Sequence, residues 1–290
     1  MESKYIDVRG IKTRYLEAGK GEPLLLVHGG DFGGFDSAND WDLNIDGLAK
    51  SFHVFAIDRI GCGFTDNPKT DKEYVIGTGV QHAYDFLRTM KMDSAHVVGH
   101  SRGGYVVCRL AMEHPEVVKT LIIVDSQTLL LPDSLVETIY ADWGRLASII
   151  TDKREKYRYL AAANSYRNEG ITDDFVNIMV EVMALPKSRE AATRLNWQHF
   201  EEDLTARQKE NREWISAGRI KAPTLIIWGF NDPTAKFDPV ALDALCTIFA
   251  ATPQSQMHIF NRAGHYCFRD QPETFNVSIT RFIKLNGEGR

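Results

Sequence analysis

Residues 94–98, Ser-Ala-His-Val-Val, run directly into Gly99-His100-Ser101-Arg102-Gly103-Gly104. A short strand pattern, a glycine-flanked serine and a helical pattern over 105–114 leave few backbone paths open. The serine must stand at the apex of a sharp strand-to-helix turn, with its backbone strained. Gly99 and Gly103 are then needed where a side chain would collide. A bare G-x-S-x-G arises by chance in many chains. Here the preceding strand, the following helix and the candidate partners downstream give the pattern its weight.

The rhythm around this turn fixes the fold class. Strand patterns at 5–8 and 12–17 flank an Arg9-Gly10 hairpin turn. Continuous apolar runs follow at 24–27, 54–58, 95–98 and 121–124, alternating with helical patterns at 41–50 and 75–90. Apolar strands alternating with helices predict an α/β protein with a mostly parallel central sheet and helices on both faces. The rhythm stops after Asp125. Residues 132–219 carry no apolar strand and read as four or five charged helices, including 173–184 and 190–200. Strands return at 224–228 and 256–260, and a helix over 272–285 closes the chain. The expected organisation is a core of residues 1–131 and 220–290, with a helical cap over 132–219 inserted after the sixth strand. An insertion at a strand's C-terminal end stands where such sheets bind ligands, so it is expected to act as a lid.

Composition narrows the partners. The 290 residues are 43 % hydrophobic and 25 % charged, with a net charge of −5, so there is no electrostatic footprint for nucleic acid. No stretch approaches the roughly 20 apolar residues of a membrane helix, and the polar opening Met1-Glu2-Ser3-Lys4-Tyr5 lacks the apolar core of a signal peptide. Cys62, Cys108, Cys246 and Cys267 are scattered with no C-x-x-C pair, as expected for free thiols in the cytoplasm. No metal-ligand set, phosphate loop or dinucleotide fingerprint is present, so no cofactor is expected.

A serine hydroxyl is a poor nucleophile without a base, and the base needs an acid to fix its tautomer. His265, in Ala263-Gly264-His265, follows the last strand; Asp232, in Gly229-Phe230-Asn231-Asp232, follows the one before it. With Ser101 they stand at C-terminal strand ends along one edge of the sheet. Asn231-Asp232-Pro233 is also turn chemistry, and Asp125 is the rival acid, with a cap as its structural reading. The oxyanion formed by attack on a carbonyl needs preorganised N–H donors. The Arg102 backbone N–H is one candidate, and Gly30, in the loop after 24–27, is the other; a plain tight turn is the structural reading of Gly29-Gly30. The Arg102 side chain is expected to pair with an acid, with an anionic substrate as the other option. His28 reads as a hydrogen-bonded turn residue, while Asp58 and Asp66 read as loop holders. His100 stands either in the pocket or in packing.

His28-Gly29-Gly30, Asp58-Arg59-Ile60-Gly61-Cys62-Gly63, the Gly99–Gly104 motif, Ile227-Trp228-Gly229 with Asp232, and Ala263-Gly264-His265 cover nearly the whole length. Together they resemble the α/β-hydrolase fold superfamily. Within it, Thr13–Gly21 and Ile220-Lys221-Ala222-Pro223-Thr224 look most like the meta-cleavage product hydrolases. Those enzymes cut a carbon–carbon bond in vinylogous 1,5-diketones made by ring opening. That resemblance implies Asn39 in the long loop and a carboxylate-gripping lid arginine, matched by Arg189 with Arg194 as fallback; a solvated helix face is the alternative for either. It also implies that His100 and Tyr266 touch the substrate's polar head, although the family commonly has asparagine and tryptophan there.

The expected activity is therefore a cofactor-free Ser101–His265–Asp232 hydrolase. Its expected partner is a small, partly apolar molecule with a carboxylate or carbonyl head, and a homodimer is one state that the resemblance allows. An esterase or lactonase with the same triad is the second reading, and a non-catalytic receptor on this scaffold the third. His-Ser-Arg-Gly-Gly is also similar to haloacetate dehalogenases and epoxide hydrolases, but Ser101 replaces the aspartate which their chemistry requires. Trp143, Tyr157, Tyr159, Phe175, Met179, Met183 and Trp197 are expected to make the cap apolar inside.

Overall fold

The computed structural model describes residues 2–130 and 134–287. The expected core–cap boundary at 131/132 and the extreme termini lie outside the described residues. Eight strands form one sheet: β1 Ser3–Val8, β2 Ile11–Gly19, β3 Pro23–Val27, β4 His53–Ile57, β5 Ala95–His100, β6 Val118–Val124, β7 Thr224–Gly229 and β8 Ser255–Phe260. Their order across the sheet is β1-β2-β4-β3-β5-β6-β7-β8. β2 pairs antiparallel with β1 and β4, while β3 to β8 run parallel.

The helices are α1 Asp42–Leu48, α2 Ile76–Thr89, α3 Arg102–Glu113, α4 Ser134–Ser148, α5 Lys153–Asn164, α6 Asp173–Ala184, α7 Pro186–Arg194, α8 Trp197–Ser216, α9 Leu242–Ala251, α10 Cys267–Asp270 and α11 Pro272–Asn286. Helices α4 to α8 fill the stretch between β6 and β7. Among the described residues no helix is long and apolar enough to cross a membrane.

Continuous apolar strands arise because both faces are covered. Leu25, Val27, Val97, Leu121, Ile123, Ile226 and Trp228 face a core with α2 and α3. Their alternates Leu24, Leu26, Val98, Ile122, Val124, Leu225 and Ile227 face a second core with α1 and α11. This is period-two alternation with both faces apolar, so no polar phase marks it in the sequence.

Two expected helices differ. The helix expected over 41–50 is a 3-10 turn, Ala38–Trp41, leading into the shorter α1. The helix expected over 190–200 is two, α7 and α8, broken at Leu195-Asn196. The physical reason is a cap: the Asn196 side chain accepts from the His199 N–H and restarts the helix there.

Candidate active site

Ser101 joins β5 to α3 with φ 53° and ψ −122°, a conformation L residues rarely hold. Close backbone packing enforces the glycines around it. A Cβ on Gly99 would stand 2.1 Å from the Gly103 carbonyl oxygen, and one on Gly103 would stand 2.2 Å from that of Val27. On Gly104 it would meet Ser126 Cβ at 2.5 Å. Two backbone ties hold the apex: the Ser101 N–H donates to Val124 O at 2.9 Å, and Ser126 Oγ donates to Ser101 O at 2.6 Å. Among the described residues the Ser101 hydroxyl makes no hydrogen bond.

His265 follows β8 and is buried. Its Nδ1 lies 2.6 Å from Asp232 Oδ2, which leaves Nε2 as the free ring nitrogen. Asp232 is held in turn: its Oδ1 accepts from Thr234 N at 2.8 Å, Thr234 Oγ1 at 2.9 Å and Ala235 N at 2.8 Å. Asp125, the rival acid, instead accepts from the Gly229 N–H at 2.8 Å. Burial, reinforced by the nearby Asp232 charge, raises its carboxyl well above the usual range.

The loop after β3 is braced from behind. His28 is fully buried; its Nε2 accepts from the Arg59 N–H at 3.0 Å and its Nδ1 lies 2.8 Å from Gly29 O. Burial and the Arg59 charge push its pKa well down, so the ring is neutral. The Arg59 guanidinium donates to the carbonyls of Gly29, at 2.7 Å, and Gly30. These ties fix the peptide planes that aim the Gly30 N–H, and Gly30 itself has φ +76°. Arg102 opens α3, so its N–H belongs to a first turn whose donors lack helical acceptors. Its side chain pairs with Asp31 at 2.8 Å and lies over Phe200, 4.6 Å from the ring centre.

His100 is buried between the triad histidine and an aromatic wall. Its ring centre is 4.5 Å from that of His265, 5.6 Å from Tyr266 and 4.8 Å from Phe268. Nε2 donates to the His265 carbonyl at 2.9 Å, while buried Nδ1 has no partner among the described residues. A Cβ on Gly29 would lie 2.9 Å from Ser101 Cβ and 3.1 Å from this Nδ1, so the bare acceptor lies beside the serine. Tyr266 packs edge-on to Phe175 of α6 and donates its hydroxyl to Asp36 Oδ1 at 3.4 Å.

The remaining expected substrate residues, Arg189, Arg194 and Asn39, are placed as follows. Arg189 is exposed on α7 and reaches no group of the site. The fallback Arg194 pairs with Asp71 at 2.7 Å and Glu190 at 3.0 Å, and it donates to the carbonyls of Pro68 and Lys69. Asn39 spends its Oδ1 on Arg14 at 2.8 Å, and Arg14 is itself paired with buried Asp58. Asn39 therefore ties the loop to β2. Asp58 also accepts from Ala38 N and Phe64 N, and Asp66 accepts from Lys12 N, so both hold loops.

Two residues went unread in the sequence. Asp36 is buried beside Gly30. Tyr140 of α4 has an exposed ring edge, but its hydroxyl bonds to Thr234 and feels the Asp232 charge. A loop aspartate carries no periodicity, and Tyr140 lies on a helix whose inward face the sequence does not mark.

Among the described residues no group of three or more His, Cys, Asp or Glu is placed to hold a metal ion. Cys62, Cys108 and Cys267 are buried free thiols, and Cys246 is an exposed one.

Comparison with known proteins finds relatives that match this chain over nearly its whole length. The model of the alpha/beta hydrolase fold family matches residues 22–272. The chain is 28 % identical over 289 residues to 2-hydroxy-6-oxo-6-(2'-aminophenyl)hexa-2,4-dienoic acid hydrolase of Metapseudomonas resinovorans, covering 98 % of this chain and 92 % of that protein. It is 27 % identical over 280 residues to 2-hydroxymuconate semialdehyde hydrolase of Pseudomonas sp. strain CF600, covering 94 % and 91 %. The structure of a meta-cleavage product hydrolase, CumD of Pseudomonas fluorescens IP01, superposes with a TM-score of 0.74 at 25 % identity, covering 97 % of each chain.

Proposed function

The chain belongs to the alpha/beta hydrolase fold family, and from that premise we propose that it is a serine hydrolase acting through Ser101, His265 and Asp232. The observation that carries this reading is the 2.6 Å contact between His265 Nδ1 and Asp232 Oδ2, which leaves Nε2 free, on a ring whose centre is 4.5 Å from that of His100, the neighbour of the serine on its strained elbow. Asp232 orients the imidazole and stabilises its cation. As substrate enters, the Ser101 hydroxyl swings onto Nε2; such contacts commonly tighten only in the Michaelis complex. Ser101 Oγ attacks the carbonyl carbon, its proton passes to Nε2, and the N–H groups of Gly30 and Arg102 hold the oxyanion.

We assign the bond cut as the carbon–carbon bond of a vinylogous 1,5-diketone, supported by full-length similarity to hydrolases of ring-fission products. The substrate first ketonises, so that the breaking bond's electron pair leaves as a stabilised dienolate. His265 returns its proton to the leaving dienolate, and water, with His265 as base, then releases the acid from Ser101. His100 and Tyr266 border the polar head, and Phe175 and Met179 supply apolar cover. Residues 132–219 serve as the cap over a core of 1–131 and 220–290.

The exposed Arg189 favours a second reading, a carboxylic ester as substrate, because the lid then offers no carboxylate grip from that position. Purified protein offered a chromogenic ring-fission product and a p-nitrophenyl ester separates the two. Rapid bleaching of the dienolate supports the carbon–carbon assignment. Ester turnover without bleaching overturns it in favour of the esterase.

A further inference from the structure

Asp36 sits where two walls of the site meet, and none of the steps above uses it. Its Oδ2 lies 2.0 Å from where a Cβ on Gly30 would stand, so the carboxyl packs directly on the proposed oxyanion glycine. Its Oδ1 takes the hydroxyl of Tyr266, the residue after the base. Among the described residues, Tyr266 is the one side chain hydrogen-bonded to it.

The groups facing Asp36 come from four segments. Arg59 and Cys62 follow β4, Asp31 and Asp40 share its own loop, Tyr140 comes from α4, and His265 and Tyr266 follow β8. Only Arg59 is permanently cationic, and its guanidinium is spent on the carbonyls of Gly29 and Gly30. Burial pushes the carboxyl up to about 6, against the pull of Arg59 and with help from Asp31. An ionised Asp36 would hold its charge with its own backbone N–H and the long hydrogen bond from Tyr266. For the O–H of a neutral Asp36, the one side-chain partner among the described residues is the Tyr266 hydroxyl, at 3.4 Å from Oδ1. A carboxylic acid kept neutral in a dry site can donate to an oxyanion.

We propose that Asp36, in its neutral form, donates a hydrogen bond to the carbonyl oxygen that Ser101 attacks, as a third donor beside the N–H groups of Gly30 and Arg102. This rests on the serine-hydrolase reading. The proton stays on Asp36 throughout; its bond to the substrate oxygen strengthens as charge builds there. Ionised, the same carboxylate would set a negative charge beside the oxyanion and oppose its formation. Activity should therefore fall as Asp36 loses its proton.

The test is kcat/KM between about pH 5 and about pH 9 for wild type, D36N and D36A, on whichever of the two chromogenic substrates is turned over, with folding checked by circular dichroism. The wild type should lose rate on the alkaline side. D36A should fall by about 10²-fold near pH 5.5, the loss typical of a deleted oxyanion donor. D36N, which keeps shape and an N–H donor, should fall by less than about tenfold there. It should also lose the alkaline limb and exceed wild type at high pH. A folded, active D36N whose profile parallels wild type overturns the proposal alone, as does D36A at wild-type rate near pH 5.5. A wild type inactive on both substrates overturns the serine-hydrolase reading and this proposal with it.

Discussion

The imidazole of His100 donates its Nε2–H to the backbone carbonyl of His265 at 2.9 Å, so the residue before the nucleophile holds the loop of the proposed base. Burial, with the neighbouring His265, drives the His100 pKa well below normal, and the ring is a neutral donor. Replacing it with phenylalanine keeps an aromatic ring but strands the carbonyl. His100→Phe should cost about 1–3 kcal/mol, read as a lower denaturant midpoint. It should also lower kcat, because the base loop loosens.

Asp232→Asn should keep the fold and remove the charge facing His265. With an amide N–H toward Nδ1, the imidazole is pushed into the wrong tautomer. The expected fall in kcat is on the order of 10⁴, measured on the turned-over substrate. A loss below tenfold would mean that Asp232 does not orient the base.

Gly99→Ala tests the elbow itself. The new methyl would stand 2.1 Å from the Gly103 carbonyl oxygen, with backbone rather than a flexible side chain in its way. The variant should lose at least about 2 kcal/mol of stability, with activity lost in whatever remains folded. Chemical denaturation and the residual rate report the two effects.

Arg189→Ala separates the structure from the sequence resemblance. An exposed arginine that reaches nothing in the site should leave KM for a carboxylate-bearing substrate within about twofold and stability within about 0.5 kcal/mol. A tenfold rise in KM would place Arg189 on the substrate after all.

Asp36 also links stability to pH. Its folded pKa, about 6, lies above its ordinary value of 3.8, so between these values the folded chain holds a proton that the unfolded chain has released. That term makes stability fall as pH rises through the window and stay low above it. Asp36→Asn removes a penalty on the order of 2–3 kcal/mol at neutral pH and almost none below the window. Thermal melts of both proteins at neutral and acid pH should therefore differ at neutral pH and converge in acid.

Much of this arrangement was legible in the sequence because close packing restricts residue type. Gly99, Gly103 and Gly104 are glycines because backbone or Ser126 fills the space of a side chain. The sheet showed itself as apolar runs, since both faces are covered. The Asn196 cap that splits α7 from α8 was visible only as one polar residue inside a helical pattern. Arg189 matched the lid arginine that the resemblance implies, yet a match within a helix does not say which face turns inward. Asp36 and Tyr140 acquire meaning only through what the fold brings against them.

The most direct measurement of the central claim is turnover by Ser101→Ala against wild type, on the ring-fission product and the ester, with folding verified. Ser101 as nucleophile predicts a loss of at least about 10³-fold on the true substrate. Full activity in the alanine variant would contradict the account.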